Sequence, residues 1–203
     1  MTLDISKYKT GGTKDFGRSE DGNYPARLAQ VIELGLQPME DYTTKEAKDP
    51  KPRCILTFEF PTETIEVGGE EKPRWYGKEY TLSGHEMAAL PKVVSALDPG
   101  GEETDLGKLL SRAVMVEIGT TSGGKAKVVN VSKLMKGLTV DQLAADPVVF
   151  SLDSPNKAIF DRLPQWIKEK ITGALDFEGS HAEAVLTGIA DGNSDGDDDE
   201  VAY

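Results

Sequence analysis

The chain has 203 residues, 38% of them hydrophobic and 29% charged, with a formal net charge of −12; this suits one packed domain with appendages. No apolar run approaches the ~20 residues of a membrane-spanning helix, and the start MTLDISKYKTGG lacks a basic segment leading into an apolar one, so no secretory signal is expected. Six of the 35 acidic residues and none of the 23 basic ones lie in residues 191–203, which leaves a mildly acidic body that argues against broad, nonspecific coating of DNA but permits a local basic groove.

In chain order, residues 1–22 are polar and glycine-rich, with turn signals at TGGT and EDGN, and read as a flexible arm. YPARLAQVIELG alternates Ala26, Leu28, Gln30 and Ile32 against Arg27, Ala29, Val31 and Glu33, a strand ending at Gly35. The polar stretch LQPMEDYTTKEAKDPKP reads as a long loop. RCILTFEF is a second strand, with Cys54, Leu56, Phe58 and Phe60 on one face and Arg53, Ile55, Thr57 and Glu59 on the other. The lone Cys54 allows no internal disulfide and reads as a small buried hydrophobe, which fits a reducing cytosol.

PTETIEVGGEEKP reads as a hairpin connection turning at Gly-Gly and leading into RWYGKEYTL, a third strand. SGHEMAALPKVVSAL has Met87, Leu90, Val94 and Leu97 at helical spacing, with Ser83 as cap and a kink or restart at Pro91. A short helical piece, TDLGKLLS, follows, and then RAVMVEIG and KAKVVNVS flank TTSGG as a hairpin. Strand, strand, strand, helix, strand, strand over residues 23–132 is the connectivity of the OB-fold, a partly open five-stranded barrel that often binds oligonucleotides. An SH3-like barrel lacks a helix at that point; a small mixed sheet covered by the helix is the more generic alternative. Residues 133–180 read as a helical extension. Asp153 or Ser154 caps its first helix, Pro155 takes the first position, and Pro164 breaks it before a second helix ends at Gly173. Ile159, Phe160, Leu163, Trp166, Ile167 and Ile171 share its apolar face. Residues 181–203 read as a disordered acidic tail.

No residue set volunteers for catalysis. The two histidines, His85 and His181, are far apart and read as solvent-facing, with no ligand-spaced cysteines, phosphate-binding glycine loop or nucleophile elbow in the sequence. DGNSDG at 191–196 matches the opening of an EF-hand loop, but Ala202 stands where the bidentate glutamate belongs. No catalytic residue, metal or cofactor is therefore assigned. The binding signal is aromatic and basic residues interleaved along PRWYGKEY, where Arg74, Tyr76, Lys78 and Tyr80 share a face. Stacked bases need flat π-surfaces and the adjoining phosphates need cations. In an OB-fold the first loop, with Tyr42, Lys45, Lys48, Lys51 and nearby Arg53, and the last hairpin, with Lys125 and Lys127, frame the same groove. Phe58, Phe60 and Tyr80 belong to the core by phase; Trp75, Tyr76 and Tyr42 are the candidates for stacking.

GNYPARLAQVIELGLQP, EYTLS before a helix, and the closing DGDDDEVAY together resemble bacteriophage single-stranded DNA-binding proteins, over about residues 22–175 plus the tail. The resemblance implies an OB-fold protein, not an enzyme, that coats and protects ssDNA during phage replication and recombination in the cytoplasm of the infected host cell. It implies that Asp197, Asp198, Asp199, Glu200, Val201, Ala202 and Tyr203 dock replication or recombination proteins and compete with DNA for the groove. The tip departs from the bacterial pattern, having Val-Ala-Tyr where that pattern has Ile-Pro-Phe. Two alternatives stay open: an OB-like protein-interaction module, and a Mg²⁺-dependent nucleic-acid-processing enzyme.

Overall fold

The structure, a computed structural model, describes residues 19–41 and 43–188. It is mainly β. Its elements are β1 (Gly22–Glu40), β2 (Ala47–Val67), β3 (Glu70–Thr81), α1 (Ala89–Leu97), a 3-10 turn (Leu106–Leu109), β4 (Ala113–Thr120), β5 (Ala126–Lys133), β6 (Val148–Phe150), α2 (Lys157–Arg162), α3 (Gln165–Thr172) and α4 (His181–Thr187). The sheet runs β3-β2-β1-β4-β5 with antiparallel neighbours, and β6 adds to β1 in parallel. β3 and β5 come within 8 Å between Cα atoms without forming a ladder, so the sheet is not closed.

β1 is where two cores meet. Ala26, Leu28 and Val31 face the first core, whereas Ile32 and Leu34 face the second. A strict two-residue alternation cannot do this. The register with β2 slips between Leu28 and Gln30, so Ala29 is an extra residue that flips the phase and lets one strand bury both faces. The first core lies on the concave side of the sheet, where Cys54, Leu56, Phe58 and Phe60 of β2 meet α1 and the 3-10 turn. Phe58 and Phe60 are fully buried, each contributing about 1.5–3 kcal/mol of apolar burial. Cys54 is buried as its sequence suggests, and that burial pushes its thiol up to about 12. The second core lies on the opposite side, where β6, α2, α3 and α4 pack on Ile32, Leu34 and Ile55.

Several expectations change. β1 does not stop at Gly35: a positive φ of 75° there makes a second bulge, and the strand continues to Glu40. The expected long loop is mostly a two-stranded ribbon, with Gln37 opposite Lys51 and Met39 opposite Lys48. Its backbone pairs while its side chains face solvent, so no apolar pattern announces it. The Gly68-Gly69 turn is as read, with both φ values positive. Pro91 neither kinks nor restarts α1 but sits in its first turn, where a missing N–H leaves no intrahelical bond unmade. Met87 therefore precedes the helix and is 74% exposed rather than part of its apolar face. α2 is capped by Asn156, whose Oδ1 accepts from Ile159 N at 3.1 Å, and its first residue, Lys157, lies two residues later than the expected start at Pro155. β6 was absent from the expected elements because a three-residue strand carries no periodicity.

The outer boundaries shift as well. Ser19 is buried and β1 opens at Gly22, so residues 19–22 of the expected arm belong to the body. The start of the expected tail is also structured: Ser180 Oγ accepts from Glu183 N at 3.1 Å, and Ala182 and Leu186 of α4 are buried. No helix among the described residues is long and apolar enough to cross a membrane.

Candidate nucleic-acid interface

The register of β2 on β3 decides which side chains share a surface. Arg53, Ile55, Thr57 and Glu59 lie opposite Thr81, Glu79, Gly77 and Trp75, all on the outer face. Cys54, Leu56 and Phe58 lie opposite Tyr80, Lys78 and Tyr76 on the concave face. The expected common face of Arg74, Tyr76, Lys78 and Tyr80 thus exists, but it is the face of the first core. Tyr80 is 3% exposed, and burial raises its phenol above the usual range. Tyr76 is half-buried: its ring meets Phe60 edge-on at 5.3 Å, and its hydroxyl donates to Ser19 Oγ at 3.1 Å. Trp75 points the other way.

On the outer face, α3 overhangs β2 and β3 to form a cleft of about 450 Å³. Its walls include Trp75 and Trp166, which are 39% and 51% exposed, with Gly77 and Thr57 between strand and helix. Trp75 is held by its indole N–H, which donates to Glu59 Oε2 at 2.8 Å. Glu59 is 1% exposed, and its other oxygen accepts from Ala144 N at 2.8 Å. α3 is tied to the sheet by Lys170, whose Nζ bonds Glu79 Oε1, while Glu79 Oε2 takes Arg53 Nη2 at 3.3 Å.

A second hollow of about 320 Å³ adjoins the first, lined by Lys51, Arg53, Lys78 and the start of α1 at Ala88 and Ala89. Arg53 Nε is buried there without a hydrogen-bond partner, and its Nη1 lies 3.5 Å from Met39 Sδ. A third, smaller hollow spans the open edge between β3 and β5, lined by Lys78, Tyr80, Lys92 and Val129. Lys78 is common to all three. From the edge strand it reaches across the gap, its Nζ donating to Val129 O at 2.8 Å and lying 5.6 Å from the Tyr80 ring centre. Burial, and then the nearby charge of Lys127, lowers its pKa.

The remaining candidates do not all converge. Lys51, Arg53, Lys78 and Lys127 gather about the β3 edge. Lys45 and Lys48 lie at the turn of the β1–β2 ribbon, five or more extended residues from Arg53, or roughly 16 Å and beyond. Lys48 Nζ pairs with Asp41 Oδ2 at 2.5 Å, and Lys45 adopts a positive φ in that turn. The Lys48 contact, with backbone bonds from Thr44 and Thr43, holds the Asp41 carboxyl down at about 2. Arg74 is half-buried with Nε donating to Thr64 O at 3.1 Å. Lys125 is exposed in the β4–β5 turn, its N–H donating to Thr121 Oγ1. Tyr42 and the tail residues Asp197–Tyr203 lie outside the described residues. Both histidines are exposed, and no group of three or more metal-ligating side chains occurs among the described residues.

Sequence reasoning missed Trp166, Lys92 and the bridging role of Glu79. Trp166 carried a signal: it immediately precedes Ile167, so the two diverge by about 100° around the helix and cannot share one direction. Leu163, Ile167 and Ile171 are buried, and Trp166 is left at the rim. Compared with known proteins, the chain matches no family model, no curated protein and no solved structure.

Proposed function

We propose that the protein binds single-stranded DNA, largely without sequence preference, along the β3 edge of an OB-type barrel. The observation that carries this reading is a run of three adjoining hollows across β3: Trp75 and Trp166 line the one on the outer face, Lys51 and Arg53 the next, and Lys78 and Lys92 the one toward β5. Cations beside exposed aromatic faces suit a strand whose phosphates need neutralising and whose bases are free to stack. A duplex keeps its bases stacked on one another, so the same surface discriminates against it. The strand order, with α1 between β3 and β4 and with β3 facing β5 across a gap, supports the OB-type reading. The protein on this reading is not an enzyme: it protects ssDNA during phage replication and recombination in the host cytoplasm. The tail Asp197–Tyr203 then recruits replication or recombination proteins and, as a tethered polyanion, competes for the cationic edge at an effective concentration of order millimolar.

The test is a titration of the full chain and of a 1–190 truncation with oligo(dT) and a matched duplex at two salt concentrations, following tryptophan emission. Both tryptophans of the chain line the cleft, so the signal reports on the proposed surface itself. The expected result is binding of oligo(dT) over duplex, steep weakening with salt, and tighter binding by the truncation. Absence of binding at low salt by either protein refutes the reading. It would favour a protein-interaction module instead, a reading that draws on the carboxylates already paired with Lys48, Arg53 and Lys170.

A further inference from the structure

The two tryptophans are the largest partly exposed aromatic side chains of the described body, and they come from elements remote in sequence to flank one cleft. A half-exposed indole leaves much apolar surface in water, and two at one cleft define a place made to be covered. Between them the row on β3 has Gly77, which contributes no side chain, so the space is not filled from within. Trp75 is not free to swing into that space, because its N–H is anchored on buried Glu59. Trp166 stands on a helix whose Ile167 and Ile171 are locked in the second core and whose Lys170 is tied to Glu79. The two walls are thus set in position before any ligand arrives, as a binding site requires.

Of the polar groups at the cleft, Glu79 already has both oxygens engaged by Lys170 and Arg53, which leaves Gln30 and Thr57 to offer donors and acceptors. The volume of about 450 Å³ lies in the range of small-ligand clefts and has room for a nucleobase. The adjoining hollow holds Lys51 and Arg53, the latter paired with Glu79 at the boundary between the two, so cationic charge lies next to the cleft. We infer that the cleft between β3 and α3 is a nucleobase slot, taking an unpaired base of a single strand against Trp75 and Trp166, with the neighbouring phosphate held by Lys51 and Arg53. This rests on the ssDNA-binding reading and adds to it a part of the chain outside the barrel: the helical extension supplies one wall of the site.

The experiment compares wild type and Trp166→Ala on oligo(dT) and on an abasic strand of the same length and phosphate count. Trp166 is half-exposed, so its truncation leaves the cores intact. The expected result is a roughly five- to hundredfold weaker affinity for oligo(dT) and an unchanged affinity for the abasic strand. A Trp75→Phe protein, in which Trp166 is the only tryptophan, gives a second readout: its emission falls on adding oligo(dT) and not on adding the abasic strand. Equal weakening on both strands would show that Trp166 merely supports the phosphate site, and would overturn the slot. Unchanged oligo(dT) affinity in Trp166→Ala, with wild type binding well, would overturn the slot while leaving the ssDNA reading in place. No binding of oligo(dT) by wild type overturns both.

Discussion

Gly35→Ala is expected to destabilise the protein by about 2–4 kcal/mol and to lower Tm by about 4–15 °C for a chain of this size. Gly35 has a φ of +75°, a conformation that already strains any residue with a Cβ. An added Cβ would also stand 2.6 Å from Asp176 Oδ1, 2.8 Å from Ala174 Cβ and 2.9 Å from Leu152 Cδ1. These are the groups that fasten the helical extension to β1: Asp176 Oδ1 accepts from Leu36 N at 2.8 Å, and Leu175 N donates to Leu36 O at 2.9 Å. Gly68→Ala is the control. Its φ is +65° but nothing lies within 4 Å of its Cβ, so only the conformational strain of about 1–2 kcal/mol applies. Chemical denaturation of both variants separates the two contributions. Equal losses would mean that the extension yields to the methyl group and is not tightly seated on β1. If it is tightly seated, Gly35→Ala also displaces α3, and oligo(dT) affinity falls with it.

The contrast between legible and illegible parts of the fold follows from what each element buries. β2 between Cys54 and Phe60 is buried on both faces, but without a bulge: Cys54, Leu56, Phe58 and Phe60 keep to the first core and Ile55 to the second, so its alternation is plain, and Phe58, Phe60 and Tyr80 occupy the interior their phase demands. β1 buries both faces in succession, and only the bulge at Ala29 reconciles its sequence with its surroundings; a one-residue phase flip has no composition of its own. The ribbon beyond Gly35 and Arg53 buries neither face, so its strands looked like loop. The same physics governs the candidate site. The residue types along PRWYGKEY were the right ones, yet which of them share a surface depends on strand phase and on what covers each face. Trp75 and Tyr76 are adjacent and therefore opposite, and the concave side belongs to Phe60 and Ser19. The partner that Trp75 does have across the cleft comes from α3, and no local pattern links residue 75 to residue 166.

Glu59→Ala is expected to be of similar size, about 2–4 kcal/mol, for a different reason. Among the described residues no cation pairs with Glu59; its two oxygens instead accept from two neutral donors, Trp75 Nε1 and Ala144 N. Removing the carboxylate strands both donors in a site 1% exposed and leaves a cavity. Glu59→Gln keeps one acceptor and turns an amide N–H₂ toward the other donor, so it should recover only part of the loss, leaving about 1–2 kcal/mol. The sequence of effects, wild type above Gln above Ala in denaturation midpoint, distinguishes a hydrogen-bonding anchor from a charge effect, in which Gln and Ala would fall together. Ala144 lies on the connection from β5 to β6, which Arg27 also grips through the carbonyls of Val140 and Asp141. That connection has a second anchor, whereas the Trp75 N–H bonds only Glu59 among the described residues, so the freed group is the indole. Its emission should change in the Ala variant before any denaturant is added, and oligo(dT) affinity should drop toward that of a protein with a mobile wall. Native emission and affinity at position 75 in a destabilised Glu59→Ala protein would show that packing alone orients Trp75. A buried acid at the back of an exposed aromatic then serves stability alone; with the expected result, it serves the surface that the aromatic presents.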